Sequence, residues 1–278
     1  MNNLNQENIR TLEQRILSAG EIAFEAFKTK NYSIEEKYPG HPVTSVDLEL
    51  NSILIAELHR LFPEDAILSE EVIDQDLKAK IKPNRIDNDR VWIIDPLDGT
   101  KDFIYGIENF SISVGLVIHN KPVYGFIYNP AKKFFIHGGE DFDIVLNNKK
   151  VFGKTTNALD TITDLKVLLS RSEMQNNLFP DLVSKMPDEN IEPIGSIAYK
   201  LALLSAGEAD LVLSRRPKSE WDIAGGAALL KKLDYELFDK DFKEISFNQP
   251  DVICSGIIAG SKPVIQLYRN FLLTSSDE

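Results

Sequence analysis

The 278-residue chain has a single cysteine, Cys254. That excludes an internal disulfide and any multi-cysteine zinc site, and it fits a reducing compartment. Only four histidines occur, at 41, 59, 119 and 137, and they fall at no metal-ligand spacing. Long apolar runs are also absent. The best candidates, 111–118 and 123–128, are strand-sized, well short of the roughly 20 residues of a membrane span. The first 13 residues are polar and acidic rather than basic then apolar, so no cleaved signal peptide is expected. Basic charge is scarce: 31 Lys and Arg stand against 43 Asp and Glu, a formal net charge of -12. With no basic stripe, binding to a nucleic-acid polymer is excluded. An anionic substrate would need local help against this field, and bound divalent cations supply it. No repeat, low-complexity tract or Gly/Ser linker interrupts the chain.

What is present reads as an ordinary globular composition, 43% hydrophobic and 27% charged. The length suits two packed subdomains. Apolar residues at helical spacing predict a helix through Ile9, Leu12, Ile16, Ala19, Ala23 and Phe27, and another over 45–61 closed by Pro63. The period then changes. Short runs at 66–69, 91–94, 111–119, 123–128 and 133–137 predict a mainly antiparallel sheet, with Asn120-Lys121-Pro122 as a hairpin turn. Pro96, which has no N–H, is expected to end the 91–94 strand. The second half alternates: strands at 167–169, 191–194, 211–213 and 257–259, helices at 196–205, 221–232 and 264–273. Ser196 is the expected N-cap of its helix. The class is therefore α/β with an α+β N-terminal half. A boundary is expected between Asp141 and Thr155, giving a metal-binding subdomain over 1–148 and an α/β subdomain over 149–278 that supplies Asp222 and substrate-specificity residues.

The chemistry concentrates in carboxylates. Trp92-Ile93-Ile94 delivers Asp95 to a strand end, Asp98 lies three residues on, and Gly99 permits close backbone approach. The N–H groups of Thr100 and Lys101 would suit an anion. A lone Asp-x-x-Asp-Gly reads first as a strand followed by an Asx turn. Two further features weigh against that: a separate strand also ends in carboxylates, Glu70 and Glu71, and Glu220-Trp221-Asp222 opens a helix rich in small residues, Ala224 to Ala228. Those residues would let the helix start pack very close to another element, although an Asp there also serves as a plain cap. If the fold gathers these groups, their repulsion is relieved by hard divalent cations, and oxygen-only ligands select Mg²⁺, Mn²⁺ or Ca²⁺ over zinc.

Taken in order, Glu70-Glu71, Asp95-Pro96-Leu97-Asp98-Gly99-Thr100 and Trp221-Asp222 with its small-residue helix resemble the Mg²⁺-dependent, lithium-sensitive phosphatases related to inositol monophosphatase. The resemblance runs from the first helix to about Ala259. It implies a layered α-β-α-β-α sugar-phosphatase sandwich and two or three Mg²⁺ ions, with Mn²⁺ as a substitute. It assigns as metal ligands Glu70, Asp95, the carbonyl of Leu97, Asp98 and Asp222. It assigns Asp47, Glu70 and Thr100 to orienting a water activated by metal, which attacks phosphorus in line with no covalent phosphoenzyme. The N–H groups of Gly99 and Thr100 would hold the phosphate.

Within this superfamily, Lys101-Asp102-Phe103, Ser170-Arg171-Ser172 and Gly195-Ser196 followed by Lys200 resemble bacterial 3'(2'),5'-bisphosphate nucleotidases. Arg215 stands seven residues before Asp222, where animal inositol monophosphatases carry a Glu that meets inositol hydroxyls; a guanidinium suits a second phosphate. The substrate-binding set implied is Glu70, Leu97, Asp98, Gly99, Thr100, Lys101, Ser196, Lys200, Arg215 and Asp222. The expected reaction converts adenosine 3',5'-bisphosphate to AMP and phosphate, a removal that supports sulfate assimilation. The charged stretch Arg216 to Glu220 departs from the nucleotidase pattern and keeps an inositol or other sugar phosphate open. A non-catalytic binding protein on the same fold is the alternative from another class. A homodimer and a monomer both stay open. The expected location is cytoplasmic, with peripheral attachment to the inner membrane face as the alternative.

Overall fold

The computed structural model describes residues 4–71, 85–153 and 161–275. Thr155, the far end of the expected boundary, lies outside them. Five layers stack as α-β-α-β-α, and three apolar cores fill the spaces between them.

The outer helical layer is formed by α1 (Gln6–Thr29) and α2 (Ser45–Leu61). The α1 positions picked out by periodicity are all buried. With Leu50, Leu54 and Leu58 of α2 they meet Trp92, Ile94, Val114 and Phe126 on one face of a seven-stranded sheet. That sheet runs in the order Ala66–Ser69, Arg90–Asp98, Ser111–Ile118, Lys121–Asn129, Phe134–Gly139, Phe142–Leu146, Lys149–Val151. Its first pair is parallel and the rest antiparallel.

The middle layer holds the helices Ile197–Ser205 and Glu220–Lys232, which separate this sheet from a mixed five-stranded one. The second sheet runs Ile191–Ile194, Val167–Ser170, Leu211–Ser214, Ile257–Ser261, Tyr235–Phe238. Its far face is closed by the helix Lys262–Ser275, through Val264, Ile265, Tyr268 and Phe271.

Two local expectations are corrected. The hairpin turn is His119-Asn120, not Asn120-Lys121-Pro122. Both residues have positive φ, 48° and 63°, as a two-residue hairpin turn requires, and Lys121 and Pro122 already lie in the strand. Pro96 does not end its strand either. Asp95 pairs with Ser113 and Asp98 with Ser111, so one extra residue is accommodated in a bulge. A proline is tolerated there because no ladder donor is needed. The bulge carries the strand on to Asp98. Periodicity also missed the hairpin of Ile34–Tyr38 with His41–Thr44, whose first strand is exposed throughout and so shows no alternation.

Candidate active site

Asp95, Asp98 and Asp222 each offer one carboxylate oxygen, and these oxygens lie within 4.8 Å of one another. Three chain segments make this possible. The first two residues sit on either side of the bulge. The third is the N3 residue of the Glu220–Lys232 helix, where its Oδ2 accepts from Ser219 N at 2.8 Å in a capping box. The small residues of that helix set its distance from the sheet. A Cβ on Gly125 would lie 2.0 Å from Gly225 O, and one on Gly115 would lie 2.7 Å from the Ala224 carbonyl carbon. Backbone thus meets backbone, as the composition of this helix suggested.

The carboxylates of the cluster are held in place. Asp95 Oδ1 accepts from Leu97 N at 3.0 Å. Asp98 Oδ2 accepts from Ser196 Oγ and from Ala198 N, both at 2.6 Å. Burial raises Asp95 well above the usual carboxylate range, and the negative charges of Glu70, Asp98 and Asp222 add to it. Burial lifts Asp98 to about 6, opposed by the Ser196 and Ala198 bonds. It lifts Asp222 to about 8, with Asp98 and Glu70 contributing. Two buried and one half-buried oxygen donors that repel one another are what a hard divalent cation neutralises, so the donor set fits such an ion.

Beside the cluster, Thr100 Oγ1 has two acceptors for its one proton: Asp47 Oδ1 at 3.1 Å and Leu97 O at 3.0 Å. Asp47 is itself fixed. Its Oδ2 accepts from Thr44 N at 2.9 Å and Thr44 Oγ1 at 2.5 Å in the capping box that starts α2. Burial pushes it up to about 6 against those bonds. The Thr-x-x-Asp spacing was a readable capping signal for Thr44 that the sequence reading did not use. Gly99 has φ +91°, and a Cβ there would approach Asn109 O to 2.8 Å, so glycine is required.

Glu70 lies at the mouth of the site, where Lys37 Nζ pairs with its Oε1 at 2.8 Å and also with Glu71. Burial pushes Glu71 up to about 7. Lys37 comes from the exposed hairpin strand 33 residues away, and no sequence pattern pointed to it. Glu70, Gly99, Thr100 and Lys101 line a cavity of about 700 Å³.

The remaining specificity candidates separate. Lys101 is exposed in the cavity wall. Ser196 is fully buried and spends its hydroxyl on Asp98. Lys200 is fully buried too; its Nζ donates to Ile194 O at 3.1 Å, and burial pushes it down to about 7. Arg215 is not among the residues that line the cavity: its Nη1 donates to Leu178 O at 2.6 Å and its guanidinium lies 4.9 Å from the Phe179 ring centre, in the outer apolar layer. The reason lies in Glu173, a fully buried carboxylate that accepts from Ser214 Oγ at 2.5 Å, Arg215 N at 2.9 Å and Arg216 N at 3.1 Å, and so fixes the course of this segment.

The inositol monophosphatase family profile matches residues 5–268. The chain belongs to the inositol monophosphatase family. It is 30% identical over 230 residues to the 3'(2'),5'-bisphosphate nucleotidase CysQ of Haemophilus influenzae, covering 82% of each chain. It is 29% identical over 235 residues to inositol monophosphatase 3 of Solanum lycopersicum, covering 81% of this chain and 83% of that one. In fold it matches the extragenic suppressor protein suhB of Bartonella henselae with a TM-score of 0.77 at 23% identity, over 95% of this chain and 98% of that one. The chain is thus a phosphatase of a metal-dependent family that acts on small phosphorylated substrates. Among the described residues, no helix is long and apolar enough to cross a membrane.

Proposed function

We propose that this inositol monophosphatase family member is a Mg²⁺-dependent 3'(2'),5'-bisphosphate nucleotidase that hydrolyses adenosine 3',5'-bisphosphate to AMP and phosphate. The observation that carries the hydrolytic reading is the convergence of Asp95, Asp98 and Asp222 beside Thr100. Those carboxylates, with Glu70 and the Leu97 carbonyl, would hold two or three Mg²⁺ ions. Bound magnesium supplies Lewis-acid charge neutralisation for the phosphate and lowers the pKa of the attacking water.

The chain's own residues do the rest. With its proton directed to Asp47, Thr100 Oγ1 presents a lone pair to a water hydrogen. That orients the water oxygen toward phosphorus. As the P–O bond to water forms, the water's proton passes toward Thr100 and Asp47. The ester P–O bond breaks on the opposite side, and the nucleoside oxygen leaves and takes a proton from solvent water, to which Asp47 later returns the one it accepted. The backbone N–H groups of Gly99 and Thr100 take the phosphate oxygens.

Support for the nucleotide comes from Lys101-Asp102-Phe103, Ser170-Arg171-Ser172 and Lys200, and from the identity to the Haemophilus nucleotidase. Similarity to the tomato inositol monophosphatase makes inositol 1-phosphate the rival substrate. The reading extends to inhibition by Li⁺, a cytoplasmic location and a role in sulfur metabolism. The test is a panel of kcat/KM values with Mg²⁺ for adenosine 3',5'-bisphosphate, inositol 1-phosphate and fructose 1,6-bisphosphate. A higher value for inositol 1-phosphate than for the nucleotide overturns the assignment. Phosphate release indifferent to Mg²⁺ overturns the mechanism.

A further inference from the structure

The cavity that opens from Thr100 has two chemically distinct walls. One is cationic. Arg171, from the five-stranded sheet's end, joins the exposed Lys101 there. Its guanidinium lies 3.5 Å from Asp102, and one Nη donates to Pro193 O at 3.0 Å. The Nε is the atom that faces Asp102 Oδ2, and 29% of the side chain stays exposed on the cavity wall. A part-exposed guanidinium on a cavity wall, anchored by one carboxylate and one carbonyl, is suited to a phosphoryl oxygen. The other wall is aromatic. Tyr38 and His41 pack with ring centres 4.0 Å apart and planes tilted by 30°, and Tyr38 is 57% exposed. Tyr105 is 75% exposed on the same rim. Large rings left open to solvent at the mouth of a catalytic cavity present π faces to a planar group. The volume, about 700 Å³, is in the range of small-molecule sites.

We propose that this cavity holds the unreacting half of a nucleoside bisphosphate, with Arg171 and Lys101 taking its second phosphoryl group and the Tyr38–His41 pair with Tyr105 taking its base. The assignment rests on the nucleotidase reading and replaces Arg215 as the source of second-phosphate recognition. A polyol phosphate has neither a second anion for Arg171 nor a flat ring for the tyrosines.

The experiment compares adenosine 3',5'-bisphosphate, 3'-AMP and inositol 1-phosphate on wild type, Arg171→Gln, Arg171→Lys and Tyr105→Ala. The first two substrates share the scissile 3' ester and differ only in the 5' phosphate. Loss of a charge-assisted hydrogen bond predicts that Arg171→Gln lowers kcat/KM for the bisphosphate roughly ten- to hundredfold, mainly through KM, while 3'-AMP changes less than about threefold. Arg171→Lys should fall between wild type and Arg171→Gln. Tyr105→Ala, at an exposed site, should weaken both nucleotides and leave inositol 1-phosphate unchanged. Equal losses on all three substrates overturn the site while leaving the nucleotidase reading intact, provided wild type prefers the nucleotide. A wild type that prefers inositol 1-phosphate overturns both. If melting curves show the Arg171 variants unfolded, Tyr105→Ala and Tyr38→Ala decide on the same criterion.

Discussion

Ser196 Oγ donates to Asp98 Oδ2 at 2.6 Å, across 98 residues of chain. The bond joins the end of the Arg90–Asp98 strand, next to the edge of its sheet, to the helix that follows an edge strand of the other. Removing it in Ser196→Ala leaves Asp98 with the Ala198 N–H alone. Partners that orient ligating carboxylates are worth about 10–100-fold in metal affinity. The variant is therefore expected to bind Mg²⁺ at least tenfold more weakly by calorimetry and to lose about 1 kcal/mol of stability in urea. Unchanged Mg²⁺ affinity would remove Ser196 from the site's support.

Thr100→Val keeps the shape of the side chain and removes the hydroxyl between Asp47 and Leu97. If the hydroxyl positions the attacking water, kcat should fall by about 10²–10⁴ with a small change in KM. Asp47→Asn should fall in the same range, and the double variant should lose little more than either single, since the two act as a unit. Additive losses in the double variant would separate their roles.

The carboxylate cluster makes stability depend on pH in an unusual direction. Asp98 and Asp47 titrate at about 6, Glu71 at about 7 and Asp222 at about 8 in the folded chain, against ordinary values of 3.8 for Asp and 4.5 for Glu. Between about pH 4 and 8 the folded chain therefore retains protons that the unfolded chain has lost. Stability falls as pH rises through this window. His137 opposes the trend: burial pushes it down to about 4, so its penalty disappears as pH rises toward 6.5. One histidine does not outweigh several carboxylates. Lys200 at about 7 keeps a constant penalty below that pH and adds stability only above it. In chelator, the melting temperature is expected to be lower at pH 7 than at pH 5. Saturating Mg²⁺ should abolish or reverse that order, and its binding should release protons measurable as a buffer-dependent heat.

Arg215→Ala should leave the ratio of kcat/KM between bisphosphate and inositol phosphate unchanged. Its guanidinium is spent on Leu178 O and the Phe179 ring. The loss should be in stability, roughly 1–2 kcal/mol for a hydrogen bond and a stacked cation. A change in substrate ratio would show that the side chain reaches the site after all.

Gly125→Ala places a methyl where Gly225 O already lies. Backbone cannot yield as a flexible side chain does, so overpacking of at least about 1–3 kcal/mol is expected in denaturant melts. Because Asp222 rides on that helix, Mg²⁺ affinity should fall as well.

Most of the fold was legible because its cores are periodic: the apolar stripe of α1 and the strand 66–69 are where spacing put them. The metal-type cluster was legible through motif order, since Asp95 ends an apolar strand run, Asp98 precedes a glycine and Asp222 opens a small-residue helix. Other features had no such sign. Lys37 reaches Glu70 from an exposed strand with no alternation. The placement of Arg215 had none either: Glu173, 42 residues earlier, fixes the course of its segment, and chain spacing carries no information about which way a side chain leaves a loop. The Pro96 bulge was missed because a proline reads as a stop unless the partner strand's register is known.

The near-zero clearance between Gly125 and Gly225 has a practical corollary for anyone wishing to retune this enzyme's ion preference. The gap between the two carboxylate-bearing scaffolds is dictated by main chain, so it offers no shim to thin or thicken. Accommodating a larger cation would mean swapping the ligands themselves, Asp for Glu or Asn, while the rails on which they are mounted stay where they are.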